Sequence, residues 1–457
     1  MKRRGMGQVS LTEGPITKNI LLFSIPLLLS NLFQQLYNSV DSAVVGTFSG
    51  DLALAAVGGS TGSIINLLIG FFLGISTGTG ILYAMHYGAG DYKGLKKLIS
   101  SALFLGTAAG IVIGVLGAVF SKQMLIWMKT PEDILPLATI YLRIILGGMV
   151  ITMIYNISAG MIRAEGDSTR PLIYLIIGGV VNLILDILFV AVFNWGVVGA
   201  AAATLAAQAT AAILTVFRLT RLPEEYRLNF KNFKINGLAI WDITRISIPC
   251  GLQGSMFNIS NLLVQAKINT FGTIAVAGIT AYSKIDGFIY MPVLALSLAV
   301  STYVGQNVGA GKYDRVKKGM KVCLLFSCGT AMVMAILVML GFDHVITIFT
   351  TDPASQNFAK QMMWFLAPFA WTFTFSEIFG GAIRGAGAAL KVTLITAICV
   401  CAFRIVWLFT LLNFIPDIRI VFMCYPVSWV LCSSVMMIYY YKRSELRKTL
   451  RELEKAA

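Results

Sequence analysis

Eight ionisable side chains lie inside long apolar runs of this 457-residue sequence: Asp41, Arg143, Asp186, Lys267, Lys284, Asp286, Glu377 and Arg404. Where such a run crosses a bilayer, a charge near the middle costs about 2.5 to 3.5 kcal/mol, so each needs a reason to be there. Gln34, Tyr37, Asn38 and Asp41 are spaced by helical turns, which gathers them on one face of the first run. Pro26 in the same run removes a backbone hydrogen bond and gives that helix a hinge. Asn182 and Asp186 stand one turn apart in the fifth run, and Thr204 lies in the sixth. Counting about 1.5 Å per residue from Pro171 puts Asp186 about 22 Å from one side of the bilayer. The same count from Gly196 puts Thr204 about 12 Å from the other side. In a core of about 30 Å these depths nearly coincide. Asp41, counted from Ile20, is shallower and joins the layer if its helix tilts or bends.

Two carboxylates, an amide oxygen and a hydroxyl at one depth are hard donors suited to Na⁺. Two carboxylates held together also share a proton. Asp41, Asn182, Asp186 and Thr204 therefore read as one cation-coupling site, with H⁺ and Na⁺ both open. Polar residues around it and in the second half, namely Gln34, Tyr37, Asn38, Asn156, Asn258, Asn261, Gln265 and Glu377, are candidates for a substrate pocket. Glu377 has a competing assignment as a buried structural partner of Arg404. Lys284 and Asp286 read as mainly structural, and Arg143 and Lys267 as side chains that snorkel outward. His86 and His344 fall in loops, no Walker Gly-Lys-Ser/Thr is present, and the seven cysteines have neither metal-ligand nor disulfide spacing. The expectation is a chain with no catalytic residues, no resident metal and no cofactor beyond its coupling ion.

The elements that must position these residues are helices in lipid. The sequence is 57% apolar and only 12% charged, against about a quarter charged in a soluble domain. That composition excludes a soluble enzyme and a disordered chain. Twelve runs are long enough to span a bilayer, near 20–45, 56–84, 98–120, 136–158, 171–193, 197–217, 246–268, 276–304, 319–341, 358–380, 392–413 and 420–441. Of the 36 Lys and Arg residues, 28 fall on the side of the N-terminus, including Lys2, Arg3 and Arg4. The opposite face holds Lys122, Lys129, Lys360 and Arg419, so both termini are expected in the cytoplasm of a plasma-membrane protein. The basic residues serve orientation and imply no nucleic-acid partner.

An internal repeat organises the runs. Gly88-Ala89-Gly90-Asp91-Tyr92 returns as Gly309-Ala310-Gly311-Lys312-Tyr313, and Gly160, Ile162, Arg163 and Gly166 return as Gly381, Ile383, Arg384 and Gly387. Ile25-Pro26 returns as Ile248-Pro249. Six runs per half is an even number, so the repeat is parallel, with a pseudo-two-fold axis along the membrane normal. The fold class is thus an all-α polytopic membrane protein, twelve transmembrane helices in two six-helix bundles. Its domains are a first lobe at 1–218, a cytoplasmic linker at 219–245, a second lobe at 246–441 and a charged tail at 442–457. The tail carries Leu446, Leu450 and Leu453 on one stripe. At the repeat shift, Asp41, Asn182, Asp186 and Thr204 are replaced by Val264, Phe403, Trp407 and Tyr425, so only the first lobe can hold the cation.

The helix reading Ile25-Pro26 through Asp41-Ser42-Ala43-Val44-Val45-Gly46, the Gly-Ala-Gly-x-Tyr loops and Gln306-Asn307-x-Gly309-Ala310-Gly311 resemble the multidrug and toxic compound extrusion (MATE) transporters. The resemblance covers nearly the whole chain. In its DinF-like branch it implies a first-lobe cation site at Asp41, Asn182, Asp186 and Thr204, a bend near Pro26, and substrate beside Gln34 and Tyr37. Where the NorM-like branch has carboxylates, this chain has Phe257 or Asn258, and Phe373 with Glu377 one turn later, which favours the first-lobe mechanism. The function implied is a monomeric antiporter that exports amphipathic, cationic organic molecules against H⁺ or Na⁺. A flippase or exporter for a lipid-linked oligosaccharide or another lipid-like metabolite is the nearer alternative, and an intramembrane enzyme the more distant one.

Overall fold

The computed structural model describes residues 8–444, 446–449 and 452. Lys2, Arg3, Arg4, Leu450 and Leu453 lie outside the described residues. Among those described there is no strand, and the chain makes twelve helical passages. They are α1 (Ile16–Gly58), α2 (Ser60–Ala89), α3 (Tyr92–Trp127), α4a and α4b (Leu135–Gly147, Met149–Ala164), α5 (Thr169–Asp186) and α6 (Gly196–Thr220). The second half follows with α7 (Gly237–Ile268), α8 (Thr273–Gly309), α9 (Tyr313–Val345), α10a and α10b (Pro353–Leu366, Ala370–Gly385), α11a and α11b (Ala389–Thr396, Phe403–Phe414) and α12 (Ile418–Lys442). A bilayer offers the backbone no hydrogen bonds, so each passage satisfies its own.

Nine helices among the described residues are long and apolar enough to cross a membrane, and α4 makes ten although it bends by 46° at Gly148. The other two passages are α7, which carries Asp242, Arg245 and a polar stripe, and α10, which is split by the 3-10 turn Ala367–Phe369. The outward faces confirm lipid as the solvent. Ile111, Val112, Val115 and Val119 on α3, and Met332, Val333, Ile336 and Leu340 on α9, are all exposed. The glycine-rich second run and the Pro292-containing eighth run are each one continuous helix; breaks fall instead at Gly50, where the backbone of α1 leaves the helical region, and at Gly148 and Pro368.

The helices fall into two compact units whose limits lie within α1 and α7. One unit holds Ile25–Gly251 with Gln8 and Val9, and the other holds Ser10–Ser24 and the chain from Leu252 onward. Each crossing point sits beside a proline that the repeat makes equivalent, Pro26 and Pro249.

Small residues set the packing in both units. On α3, Gly106, Gly110 and Gly114 form a stripe against α4, and a Cβ on Gly110 would lie 2.7 Å from the Val150 Cα. On α2, a Cβ at Gly74 would lie 2.2 Å from the Cys250 carbonyl oxygen, and one at Gly78 would lie 2.4 Å from the Ser247 Cα. In the second unit, Gly381 and Gly385 let α10b press on Ser297, Val300 and Ser301 of α8.

Candidate coupling-ion and substrate site

In the first unit, α1 meets α5 at Gly179, whose missing Cβ would sit 2.7 Å from Phe33 and 3.6 Å from Tyr37. That approach sets Tyr37 beside the Asn182 turn and carries Asp41, one turn further along α1, toward Asp186 at the end of α5. The Asp41 and Asp186 carboxyls are direct electrostatic neighbours. The Tyr37 hydroxyl reaches Thr204 and feels both carboxyls. The structure thus brings together Asp41, Asp186, Thr204 and Tyr37, with Asn182 one turn before Asp186. Asp186 is 0% exposed, Asn182 2% and Asp41 9%.

Burial of polar atoms is expensive unless they find partners. Asp41 Oδ1, both carboxylate oxygens of Asp186 and Nδ2 of Asn182 are buried without any hydrogen bond from the protein. The Thr204 hydroxyl donates to the Ala200 carbonyl at 2.9 Å, which leaves its oxygen free to accept. The carboxylate and hydroxyl oxygens of this set fit a small hard cation or a proton held between carboxylates, while the Asn182 Nδ2 is a hydrogen-bond donor facing them. Asp186 is also the last α-helical residue before a π-helical segment, Ile187–Val192, a local widening that recurs at functional sites.

One residue that sequence reasoning missed belongs to this cluster. Tyr141 of α4a is buried and lies within the electrostatic reach of Asp41, Asp186 and Tyr37. Its only sequence signal was a phenol in an apolar run.

The pocket candidates separate into distinct settings. Gln34 and Asn38 are exposed on α1. Asn156 is buried in α4b, where its amide donates to the Thr152 carbonyl at 2.8 Å and its own carbonyl accepts the Ser76 hydroxyl. In the second unit, the Gln265 amide donates to Asn269, Asn258 donates to the Gly254 carbonyl, and Asn261 accepts from Arg404 at 3.2 Å. Glu377 does not pair with Arg404. Its Oε2 accepts the Ser297 hydroxyl at 2.9 Å and lies 3.8 Å from Arg384, which donates to Ser297 and to Gln253. The positions equivalent to the first-unit cluster hold Val264, wholly buried, and the rings of Phe403, Trp407 and Tyr425.

The MatE family model matches residues 26–188 and 249–410, the same two stretches that the internal repeat pairs. The chain belongs to the MATE family. A probable multidrug resistance protein of Bacillus subtilis, YpnP, is 29% identical over 399 residues, covering 86% of this chain and 88% of that relative. The probable multidrug resistance protein NorM of Thermotoga maritima is 26% identical, covering 87% and 86%. A solved structure of a MOP superfamily transporter from Pyrococcus furiosus superposes with a TM-score of 0.90 at 22% identity, over 98% of this chain and all of that one. Membership makes this MATE chain a transporter, and both matched stretches of the family start at the proline-bearing crossing points in α1 and α7.

Proposed function

We propose that this MATE protein is a secondary active antiporter of the DinF-like branch, exporting amphipathic organic cations across the plasma membrane in exchange for H⁺ or Na⁺. The observation that carries the reading is the set of buried carboxylate oxygens on Asp41 and Asp186 that no protein group satisfies. Loaded with a cation, the pair is neutralised and α1 stays seated against α5. Emptied, the two carboxylates repel each other in a low dielectric, and α1 has a place to yield at Pro26, next to the boundary of the compact units. Substrate and ion then exclude each other: an organic cation held near Gln34 and Tyr37 leaves when an ion from outside takes the carboxylates. Asn182 and Thr204 complete the coordination. The protein works as a monomer, both termini in the cytoplasm, and needs no other cofactor.

Efflux of a fluorescent organic cation from cells carrying Asp41→Asn or Asp186→Asn tests the role of the pair. The expected outcome is loss of efflux at unchanged membrane expression, and near-normal efflux rejects the assignment. Purified protein in liposomes, with pH and Na⁺ gradients imposed separately, identifies the coupling ion.

A further inference from the structure

The linker between α6 and α7 has two unlike sides. Its inner side is fixed to the first unit. Leu222, Tyr226 and Leu228 are buried, the Tyr226 ring stacks on Tyr92 at 5.3 Å, and the Leu228 amide donates to the Leu219 carbonyl at 3.0 Å. The Asn229 side chain accepts the Lys231 amide at 3.0 Å, which closes the 3-10 turn Phe230–Asn232. Further on, the Asn236 amide donates to the Ser101 hydroxyl at 3.0 Å, and the Asn236 side chain accepts the Ala239 amide where α7 starts. The loop is thus pinned at both ends and in the middle. Its outer side is apolar and basic. Phe230, Phe233 and Ile235 are exposed, and they lead into Leu238 and Trp241 on the first turns of α7, which are exposed as well. At the other end, Phe217 on the last turn of α6 is exposed, with the Arg221 guanidinium 5.0 Å from the centre of its ring. Lys231 and Lys234 stand exposed among these side chains, and no Asp or Glu occurs from Tyr226 to Trp241. The remaining base of that stretch, Arg227, is paired with Glu224 at 3.0 Å.

A contiguous run of exposed apolar side chains marks a surface that something covers. What covers this one is set by its neighbours. Phe217, Leu238 and Trp241 belong to the two helices that carry the linker to the edge of the bilayer, so the lipid around those helices reaches the level of the loop. Aromatic side chains collect at that level because it offers hydrocarbon to the ring and water to the polar groups beside it. A lysine there lays its methylene stem on apolar surface and lifts its ammonium to the headgroups. Choline and ethanolamine headgroups cancel the phosphate charge within their own molecule, whereas an anionic headgroup leaves it for the protein to meet. We infer that the outer face of 230–241 lies in the adjacent leaflet and binds anionic phospholipid headgroups through Lys231 and Lys234. A soluble acidic protein satisfies the two lysines alone and leaves uncovered an apolar surface that is continuous with the lipid-facing helices. The inference stands apart from the coupling ion and from the exported substrate.

Site-directed photocrosslinking in the full-length protein tests this at the residue. The photoreactive amino acid p-benzoylphenylalanine replaces Phe230 and Phe233 in turn. Each protein is reconstituted in vesicles of equal phosphatidylglycerol and phosphatidylcholine, irradiated, and analysed for lipid adducts by mass spectrometry. The expected result is adducts of both lipids with phosphatidylglycerol at least threefold in excess, the excess shrinking at raised salt. Lys231→Gln together with Lys234→Gln is expected to bring the ratio close to one. Lys318→Gln together with Lys321→Gln removes two exposed lysines of the second unit and is expected to leave the ratio unchanged. The proposal is overturned by no lipid adduct at either position, by equal yields of the two lipids with all lysines present, or by a ratio that survives the loss of Lys231 and Lys234. An equal fall in both lysine pairs overturns it too, because the preference then belongs to the total charge and not to the linker. So does a protein adduct in place of a lipid adduct when the same proteins are irradiated in the membranes of the expressing cells.

Discussion

The Tyr83 hydroxyl donates a 2.5 Å hydrogen bond to Oε1 of Glu165, and both side chains are buried where α2 and α4b end. Burial pushes the Glu165 carboxyl up to about 7, and the nearby Asp167 adds to the rise, while the Tyr83 bond and the Arg218 and Arg170 charges oppose it. The start of the described chain docks on the same turn. Gln8 donates to the Tyr87 hydroxyl and to the Glu165 carbonyl, and the Val9 amide donates to the Gly166 carbonyl at 2.9 Å.

A carboxyl whose folded-state value is raised binds its proton more tightly in the folded state, so its contribution to stability is fully present below the unfolded value. It fades as pH climbs from the ordinary carboxylate range through about 7. Glu165→Gln removes that dependence. Thermal unfolding of the purified protein between pH 5 and 8 should show the wild type losing up to about 3 kcal/mol relative to Glu165→Gln. Parallel curves would refute it.

Gly166 has φ +90°, and a Cβ there would lie 2.2 Å from the Val9 carbonyl oxygen. Gly166→Ala should therefore release the docked segment and destabilise the protein by about 1 to 3 kcal/mol. Faster proteolysis near Val9 and a lower Tm are the readouts, and unchanged protection contradicts the docking.

Arg384→Met strands Glu377 as an uncompensated buried charge, with an expected loss of about 3 to 5 kcal/mol. Adding Glu377→Gln should recover much of that loss, because the remaining amide still accepts the Ser297 hydroxyl. Denaturation of both single variants and the double variant measures the coupling, and strictly additive losses would dissolve the pairing.

Tyr141→Phe removes one hydroxyl from the neighbourhood of Asp41 and Asp186 without opening a cavity. The phenol dipole is one of the groups that sets how tightly the two carboxyls hold an ion, so ion-coupled efflux should fall severalfold with expression unchanged. Wild-type rates would place Tyr141 outside the working site.

Much of this arrangement was legible because lipid restricts the backbone to helices and fixes depth at a constant rise per residue. Counted that way, Asp186 and Thr204 fall at nearly one depth, and the repeat tells which half keeps Asp41 and Asp186 where the other has Val264 and Trp407. The breaks at Gly148 and Pro368 were not legible, since both sit inside uniformly apolar runs. The partner of Glu377 was half legible. Arg384 lies seven residues on, two turns along the same helix face, but the bridging Ser297 comes from α8 and follows from packing alone. Tyr141 shows no periodic pattern, and only the approach of α4a to the carboxyls reveals it.

The π-helical stretch that follows Asp186 holds one surplus residue in its turn. The wider turn shifts the register of the face that follows, so the side chains beyond Asp186 point in directions an unbroken α-helix would not give them, and the stacked Phe189, Phe193 and Trp195 pack on that displaced face.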